Sequence, residues 1–167
     1  MQIKSKHAII GLIYFMTKES NSSTEPPEVI FNGLINAAKK GDWEIVDRDI
    51  LRVCNEPQFI EWALRYGMHN EETSLRDFSV SLIEKSECKL NPEQIDSLKA
   101  LMQKDKSCDV RHRTGFTLFK HGIRSRDVIR TVTDALKDPS IREIAQEYLN
   151  QLEKPKKFFS FGRDAGN

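Results

Sequence analysis

The sequence predicts an all-α fold, an α-solenoid of stacked antiparallel helix pairs preceded by one extra N-terminal helix. Three observations predict it. Prolines and glycines punctuate the chain at helix-length intervals, the apolar residues between them recur at spacings of three and four, and one short pattern returns three times. Composition agrees. The 167 residues are 38% hydrophobic and 31% charged with a mean hydropathy of −0.54, a balance too apolar for disorder and too polar for a membrane protein. A chain of this length buries roughly 70% of its unfolded surface, which leaves a metal or disulfide unnecessary for folding.

The elements follow in order. In residues 1–19, Lys4 and Lys6 precede the apolar run Ala8 to Met16. Nine residues are too few to span a bilayer, and Thr17-Lys18-Glu19 follows where a small-residue cleavage site would stand. The segment reads as a buried helix over 6–18, with a strand or a secretion signal as the competing readings. Residues 20–26 (Ser-Asn-Ser-Ser-Thr-Glu-Pro) read as a linker. The repeat domain spans 27–153, with helices expected at 27–40, 43–53, 57–68, 73–87, 92–104, 109–121, 126–137 and 140–153. Pro27, Pro57, Pro92 and Pro139 each open such a stretch, where a missing N–H costs nothing. Asn91 with Gln94 forms a capping-box pattern, and Asp138 is a second cap. Gly41, Gly67 and Gly122 follow cationic last turns, the arrangement of a left-handed helix stop. Apolar stripes lie at Phe59/Ile60/Ala63/Leu64, at Ile95/Leu98/Leu101/Met102 and at Val128/Ile129/Val132/Ala135/Leu136.

The recurring pattern is Leu75-Arg76-Asp77-Phe78-Ser79, Val110-Arg111-His112-Arg113-Thr114 and Ile141-Arg142-Glu143-Ile144-Ala145. Each has an aliphatic residue, then Arg, then a small residue four beyond the aliphatic. The arginines stand 35 and 31 residues apart, a period suited to two helices per repeat. The stretch Asp138-Pro139-Ser140-Ile141-Arg142-Glu143-Ile144-Ala145, closing with Leu149, resembles the short bacterial and archaeal HEAT-repeat pattern D-P-x-V-R-x-x-A-x-x-A-L. The resemblance covers 57–153, with 27–56 as a degenerate capping pair. It implies a right-handed solenoid in which Arg76, Arg111, Arg142 and Asp138 belong to an Asp–Arg ladder between turns. The Asp position holds Glu72, Ser107 and Asp138, so the middle rung departs from the pattern, and Asp105 or Asp109 is the substitute. A HEAT resemblance implies architecture strongly and activity hardly at all.

Signatures of catalysis are sparse. HExxH, GxSxG, Walker and GxGxxG motifs are missing, and the four histidines include no i, i+4 pair. His69 with Glu71 and Glu72 reads as a polar turn rather than a metal cluster. Cys54, Cys88 and Cys108 form no CxxC, which points to a reduced, cytoplasmic compartment. No catalytic residue, cofactor or metal is expected.

Net charge is +1, but it is unevenly placed. Residues 111–130 hold six Lys or Arg and one acid, whereas 42–61 hold six acids and two arginines. In a HEAT pair the second helix lines the concave face, which the repeat register assigns to Asp77, Ser81, His112, Arg113, Phe116, Lys120, Glu143 and Glu147. Phe116 is an apolar ring at an outward position beside Arg113 and Lys120; packing between repeats is the competing reading. The expected partner patch is therefore Arg113, Phe116, Lys120, Arg124 and Arg126. The tail 154–167 carries Lys154, Lys156, Lys157 and Arg163 with three of the nine phenylalanines, and reads as a cap folded over the last helix or as a docking peptide.

The expected function is a non-catalytic scaffold that binds a protein through its concave, basic face, without stable membrane insertion. Nucleic-acid binding is the alternative. Trp62-Ala63-Leu64-Arg65 resembles helices of the HEAT-like alkylpurine DNA glycosylases, whose grooves combine a carboxylate, aromatic rings and many cations. A regulatory subunit of a larger enzyme is a third reading. The register makes one prediction testable on its own: Ala145→Leu overpacks the last repeat and costs about 1–3 kcal/mol, read as a lowered melting temperature.

Overall fold

The computed structural model describes residues 25–153, which form eight α-helices packed mostly on their sequential neighbours. These are α1 (Pro27–Lys40), α2 (Trp43–Asp49), α3 (Pro57–Arg65), α4 (Thr73–Lys85), α5 (Pro92–Lys104), α6 (Cys108–Lys120), α7 (Arg126–Ala135) and α8 (Arg142–Glu153). Short 3₁₀ turns at Ile50–Arg52 and Gly67–His69 follow α2 and α3. The expected N-terminal helix, the linker up to residue 24 and the tail beyond Glu153 lie outside the described residues. No helix of the described residues is long and apolar enough to cross a membrane.

Local chemistry accounts for most boundaries. Pro27, Pro57 and Pro92 occupy the first helical turn of α1, α3 and α5. The Asn91 side chain accepts from the Gln94 N–H at 2.9 Å while the Gln94 side chain accepts from the Asn91 N–H at 2.9 Å, closing a capping box. Gly41 (φ 73°) ends α1 and Gly122 (φ 87°) follows α6, both in the left-handed region. Gly67 is different. It lacks a positive φ, and a Cβ there would stand 1.9 Å from Ser79 Oγ and 2.7 Å from Trp62 Cζ3. This glycine is needed for a close approach to α4 rather than for a left-handed stop, and α3 accordingly ends at Arg65. Pro139 also departs from expectation: it lies in the turn ahead of α8, where Asp138 accepts from the Ser140 N–H at 2.9 Å.

The centre of the molecule is the pair α4 and α6. Ten consecutive residues of α4, Leu75 to Glu84, are buried, and α6 buries eight of its thirteen. α1 and α3 pack on α4, α5 and α7 on α6, and α8 on both α6 and α7. The half around α1 is filled by aromatic rings: Phe31 stacks on Phe59 with centroids 4.1 Å apart and meets Trp62 edge-on at 5.2 Å. Ser79, Thr114 and Ala145 are fully buried. The two hydroxyls are satisfied within their own helices, donating to Leu75 O at 2.7 Å and Val110 O at 2.6 Å.

One buried ion pair joins α4 to the loop ahead of α6. Arg76 Nε donates to Asp105 Oδ2 at 2.6 Å and Nη2 to Oδ1 at 3.0 Å. Nη1 donates to the carbonyls of Asn70 and Glu71, each at 2.9 Å, and Nη2 also reaches Thr73 Oγ1 at 3.3 Å. The side chains of Arg76 and Asp105 are only 8% and 3% exposed. Burial alone would raise the Asp105 carboxyl, but its hydrogen bonds to Arg76 and the Ser107 N–H outweigh burial and hold it below the usual 3.8. A carboxylate whose folded value is lowered stabilises the fold above 3.8 and loses that contribution as pH falls through its folded value. Asp105→Ala is expected to cost about 3–5 kcal/mol by leaving Arg76 buried without its counter-charge. Urea denaturation at pH 7 measures that loss, and the difference between wild type and variant should shrink progressively as pH is lowered below 3.8.

Candidate functional site

A groove of about 920 Å³ is walled by α2, α4, α6 and α8. Seven of the eight concave positions expected from the repeat register line it: Asp77, Ser81, His112, Arg113, Phe116, Lys120 and Glu147. Glu143 does not. Trp43, Asp47 and Leu51 come from α2 and the turn after it, Ile141 from the turn ahead of α8, and Ile144 and Tyr148 from α8 itself.

The expected partner patch is only partly assembled there. Arg113, Phe116 and Lys120 meet on the floor, whereas Arg124 and Arg126 are exposed but lie off the lining. Phe116 is not an outward ring: it is 5% exposed, stacked on Tyr148 with centroids 5.1 Å apart and planes 3° from parallel. Tyr148 also packs edge-on against Phe119 at 5.6 Å. Packing between neighbouring helix pairs, the competing reading, is what the geometry supports. Arg124 lies over the Phe119 ring, 3.5 Å from its centroid, and donates to the Phe119 carbonyl.

The cations of the floor are engaged with acids and carbonyls. Arg113 Nε donates to Asp77 Oδ1 at 2.6 Å, and Nη1 lies 3.7 Å from Glu84 Oε2. Lys120 Nζ donates to the Glu84 carbonyl. Burial opposes the charge of Arg113, yet Asp77, Glu84 and Asp47 together hold the guanidinium above its ordinary value. Asp77 bears more of the burial: desolvation pushes its carboxyl up, with Arg113 pulling the other way. Glu84 further accepts from the Tyr148 hydroxyl at 2.7 Å. Burial, and then the charge of Glu84, push the Tyr148 phenol well above its usual range, so it remains a donor throughout the neutral range.

The lining therefore carries five acids (Asp47, Asp77, Glu84, Asp109 and Glu147) against Lys85, Arg113 and Lys120. Asp47, Asp109 and Glu147 are exposed and make no hydrogen bond or ion pair among the described residues. The groove is thus acidic in balance, opposite in sign to the expectation drawn from the cations of 111–130. The reason is topological. Arg124, Arg126 and Arg130 follow α6 in sequence but belong to the next turn and α7, off the lining, while α2 brings Asp47 in from the acid-rich stretch.

The four residues of the expected ladder are also placed. Arg76, Arg111 and Arg142 each donate to the carbonyl six residues upstream: Asn70 at 2.9 Å, Asp105 at 2.7 Å and Leu136 at 2.9 Å. Asp105 serves both Arg76, through its carboxylate, and Arg111, through its backbone carbonyl, and Asp138 instead caps the turn ahead of α8, accepting from Ser140. Among the described residues no group of three or more His, Cys, Asp or Glu side chains stands close enough to hold a metal ion, His69, Glu71 and Glu72 included.

Sequence reasoning missed Tyr148 and Glu84. The residues they join are 64 apart, beyond any local pattern. The single usable signal was an aromatic residue one repeat after Phe116, at a neighbouring repeat position. Comparison of the chain with protein families, with curated proteins and with solved structures finds no match.

Because Phe116 is core, Phe116→Ala is expected to cost about 3–5 kcal/mol of stability. Tyr148→Phe, which removes only the donor to Glu84, should cost about 1.5–3 kcal/mol. Paired denaturation curves separate the two, and a Phe116→Ala variant as stable as wild type would contradict the stacked placement.

Proposed function

We propose that the chain is a HEAT-like α-solenoid that acts as a non-catalytic scaffold, holding a protein segment in the groove between α2, α4, α6 and α8. The repeat reading is supported by the shared six-residue hydrogen bond of Arg76, Arg111 and Arg142. Three residues after each arginine comes a fully buried small residue, Ser79, Thr114 or Ala145. On this reading α3/α4, α5/α6 and α7/α8 are successive hairpins, with α1/α2 as the capping pair.

The observation that carries the function is the character of the groove. It exposes Leu51 and Ile144, and its five carboxylates outnumber its three Lys and Arg. Three of those carboxylates (Asp47, Asp109 and Glu147) make no side-chain hydrogen bond or ion pair among the described residues, against one such cation, Lys85. Apolar walls with charged rims of one sign fit a polypeptide of the opposite sign carrying apolar side chains. Such a segment is cationic. A phosphate backbone would meet Asp47, Asp109 and Glu147 as like charges, which disfavours nucleic acid in the groove. The nucleic-acid alternative would have to use Arg124, Arg126 and Arg130 outside it.

The test compares wild type, an Asp47→Lys/Glu147→Lys double variant and an Arg126→Glu/Arg130→Glu double variant as baits in a cell lysate, with mass spectrometry and nucleic-acid staining of what is captured. The substituted residues are exposed, so folding is expected to be preserved. Proteins held by wild type should be lost from the groove variant, retained by the other, and released by salt. Nucleic acid held by wild type and lost only with Arg126→Glu/Arg130→Glu would overturn the reading.

A further inference from the structure

We propose that residues 154–163 of this same chain, Lys-Pro-Lys-Lys-Phe-Phe-Ser-Phe-Gly-Arg, dock in the groove, so that a protein partner enters it by displacing the chain's own tail. The inference rests on the reading of the groove as a binding surface and concerns how that surface is regulated. Four observations carry it.

The first is continuity. α8 forms one wall of the groove, contributing Ile144, Glu147, Tyr148 and Gln151, and ends at Glu153, one residue before the segment begins. The second is charge. Asp47, Asp109 and Glu147 make no ion pair among the described residues, and the segment offers Lys154, Lys156, Lys157 and Arg163 with no acid among its ten residues. The third is apolar character. Leu51 and Ile144 stand 65% and 46% exposed in the lining, and Phe158, Phe159 and Phe161 are a third of the nine phenylalanines. Aromatic anchors between apolar walls, ringed by opposite charges, are what a specific peptide contact requires. The fourth is reach. Ten extended residues span at most about 33–36 Å, against about 18 Å for the twelve residues of α8. The segment is long enough to run back past Glu147 along the whole length of α8, and Asp109 lines the same groove.

The N-terminal residues are the other part of the chain that could compete for this groove, and the observations favour them less. α1 contributes no residue to the lining, and residues 1–24 carry three lysines and one glutamate over more than twice the length. Tethering gives the tail an effective concentration that a free partner lacks, so even a weak contact would hold it in place until a partner of higher affinity arrives.

Zero-length carbodiimide cross-linking of the full chain tests this, because it joins lysine amines only to carboxylates in contact. Peptide mapping by mass spectrometry should find Lys154, Lys156 or Lys157 joined to Asp47, Asp109 or Glu147. An equal mixture of ¹⁴N- and ¹⁵N-labelled chains should place those links within single chains, and they should vanish at about 1 M salt, where the screening length is about 3 Å. A Lys156→Glu/Lys157→Glu variant should lose the links and capture several-fold more partner in the pull-down above. No tail links, links only to acids outside the groove, links through Lys4 or Lys6 instead, or links only between differently labelled chains each overturn the proposal. The two readings fail separately. Partner capture sensitive to Asp47→Lys/Glu147→Lys without tail links leaves the scaffold reading standing alone, and tail links without any partner leave the tail contact standing alone.

Discussion

Arg76 occupies a place where all five of its N–H groups must find acceptors, and the arrangement of the helices around it follows from how they do. Two are taken by the Asp105 carboxylate, two by the carbonyls of Asn70 and Glu71, and one by Thr73 Oγ1. A guanidinium taken out of water costs several kcal/mol unless its partners are all in place, so the turn before α4 and the turn before α6 are fixed relative to each other. Asp105 then sets the next element. Its carboxylate accepts from the Ser107 N–H at 2.8 Å and its carbonyl from Arg111 at 2.7 Å, which orients the first turn of α6. From that start α6 carries Arg113, Phe116 and Lys120 onto the groove floor. The site is therefore positioned by an ion pair that does not itself face the groove.

The interior of this protein is more polar than its stripes suggest. α4 and α6 are enclosed by neighbours on several sides, so residues such as Asp77, Glu84 and Thr117 are buried along with Phe78 and Leu82. Each polar group has a local answer. Thr117 Oγ1 donates to the Arg113 carbonyl at 2.9 Å, Asp77 accepts from Arg113, and Glu84 accepts from Tyr148. A satisfied network of this kind makes the register of α4 against α6 specific, because sliding either helix would leave charges without partners. Where helices approach most closely, side chains are small. A Cβ on Gly115 would stand 2.9 Å from Thr131 Cγ2, which lets α6 and α7 meet with little between them.

How legible this was depended on whether the determining contact was local. The helices of residues 27–153 were readable because Pro27, Pro57, Pro92, the Asn91–Gln94 box, Gly41 and Gly122 act within a turn of themselves. The apolar stripes found α3, α5 and α7, each with one solvent-facing side. They are faint in α4 and α6, where burial on many sides removes the alternation that periodicity detects. The same enclosure explains Phe116: its register points toward the groove, but Tyr148, 32 residues later, closes over it. Gly67 has the sequence surroundings of a helix stop because sequence shows neighbours along the chain, and Ser79 Oγ, the atom that forbids a side chain there, is on another helix. The sign of the groove was misjudged for a related reason. Charge counted along residues 111–130 mixes α6 with α7, and only the α6 part reaches the groove.

The groove has walls of unequal firmness. α4 and α6 bury most of their residues and share the Arg113–Asp77 pair, whereas over residues 142–152 of α8 only Ala145 is buried, and Arg142 is exposed. α8 meets α6 through the Phe116 and Phe119 contacts of Tyr148, and among the described residues one hydrogen bond, from Tyr148 to Glu84, ties it to α4. Amide protons of α8 should thus exchange with solvent by small local openings, while those of α4 wait for opening of the whole domain. The degree of protection along α8, read against that of α4, would then report how firmly the Tyr148 contacts hold this wall in place.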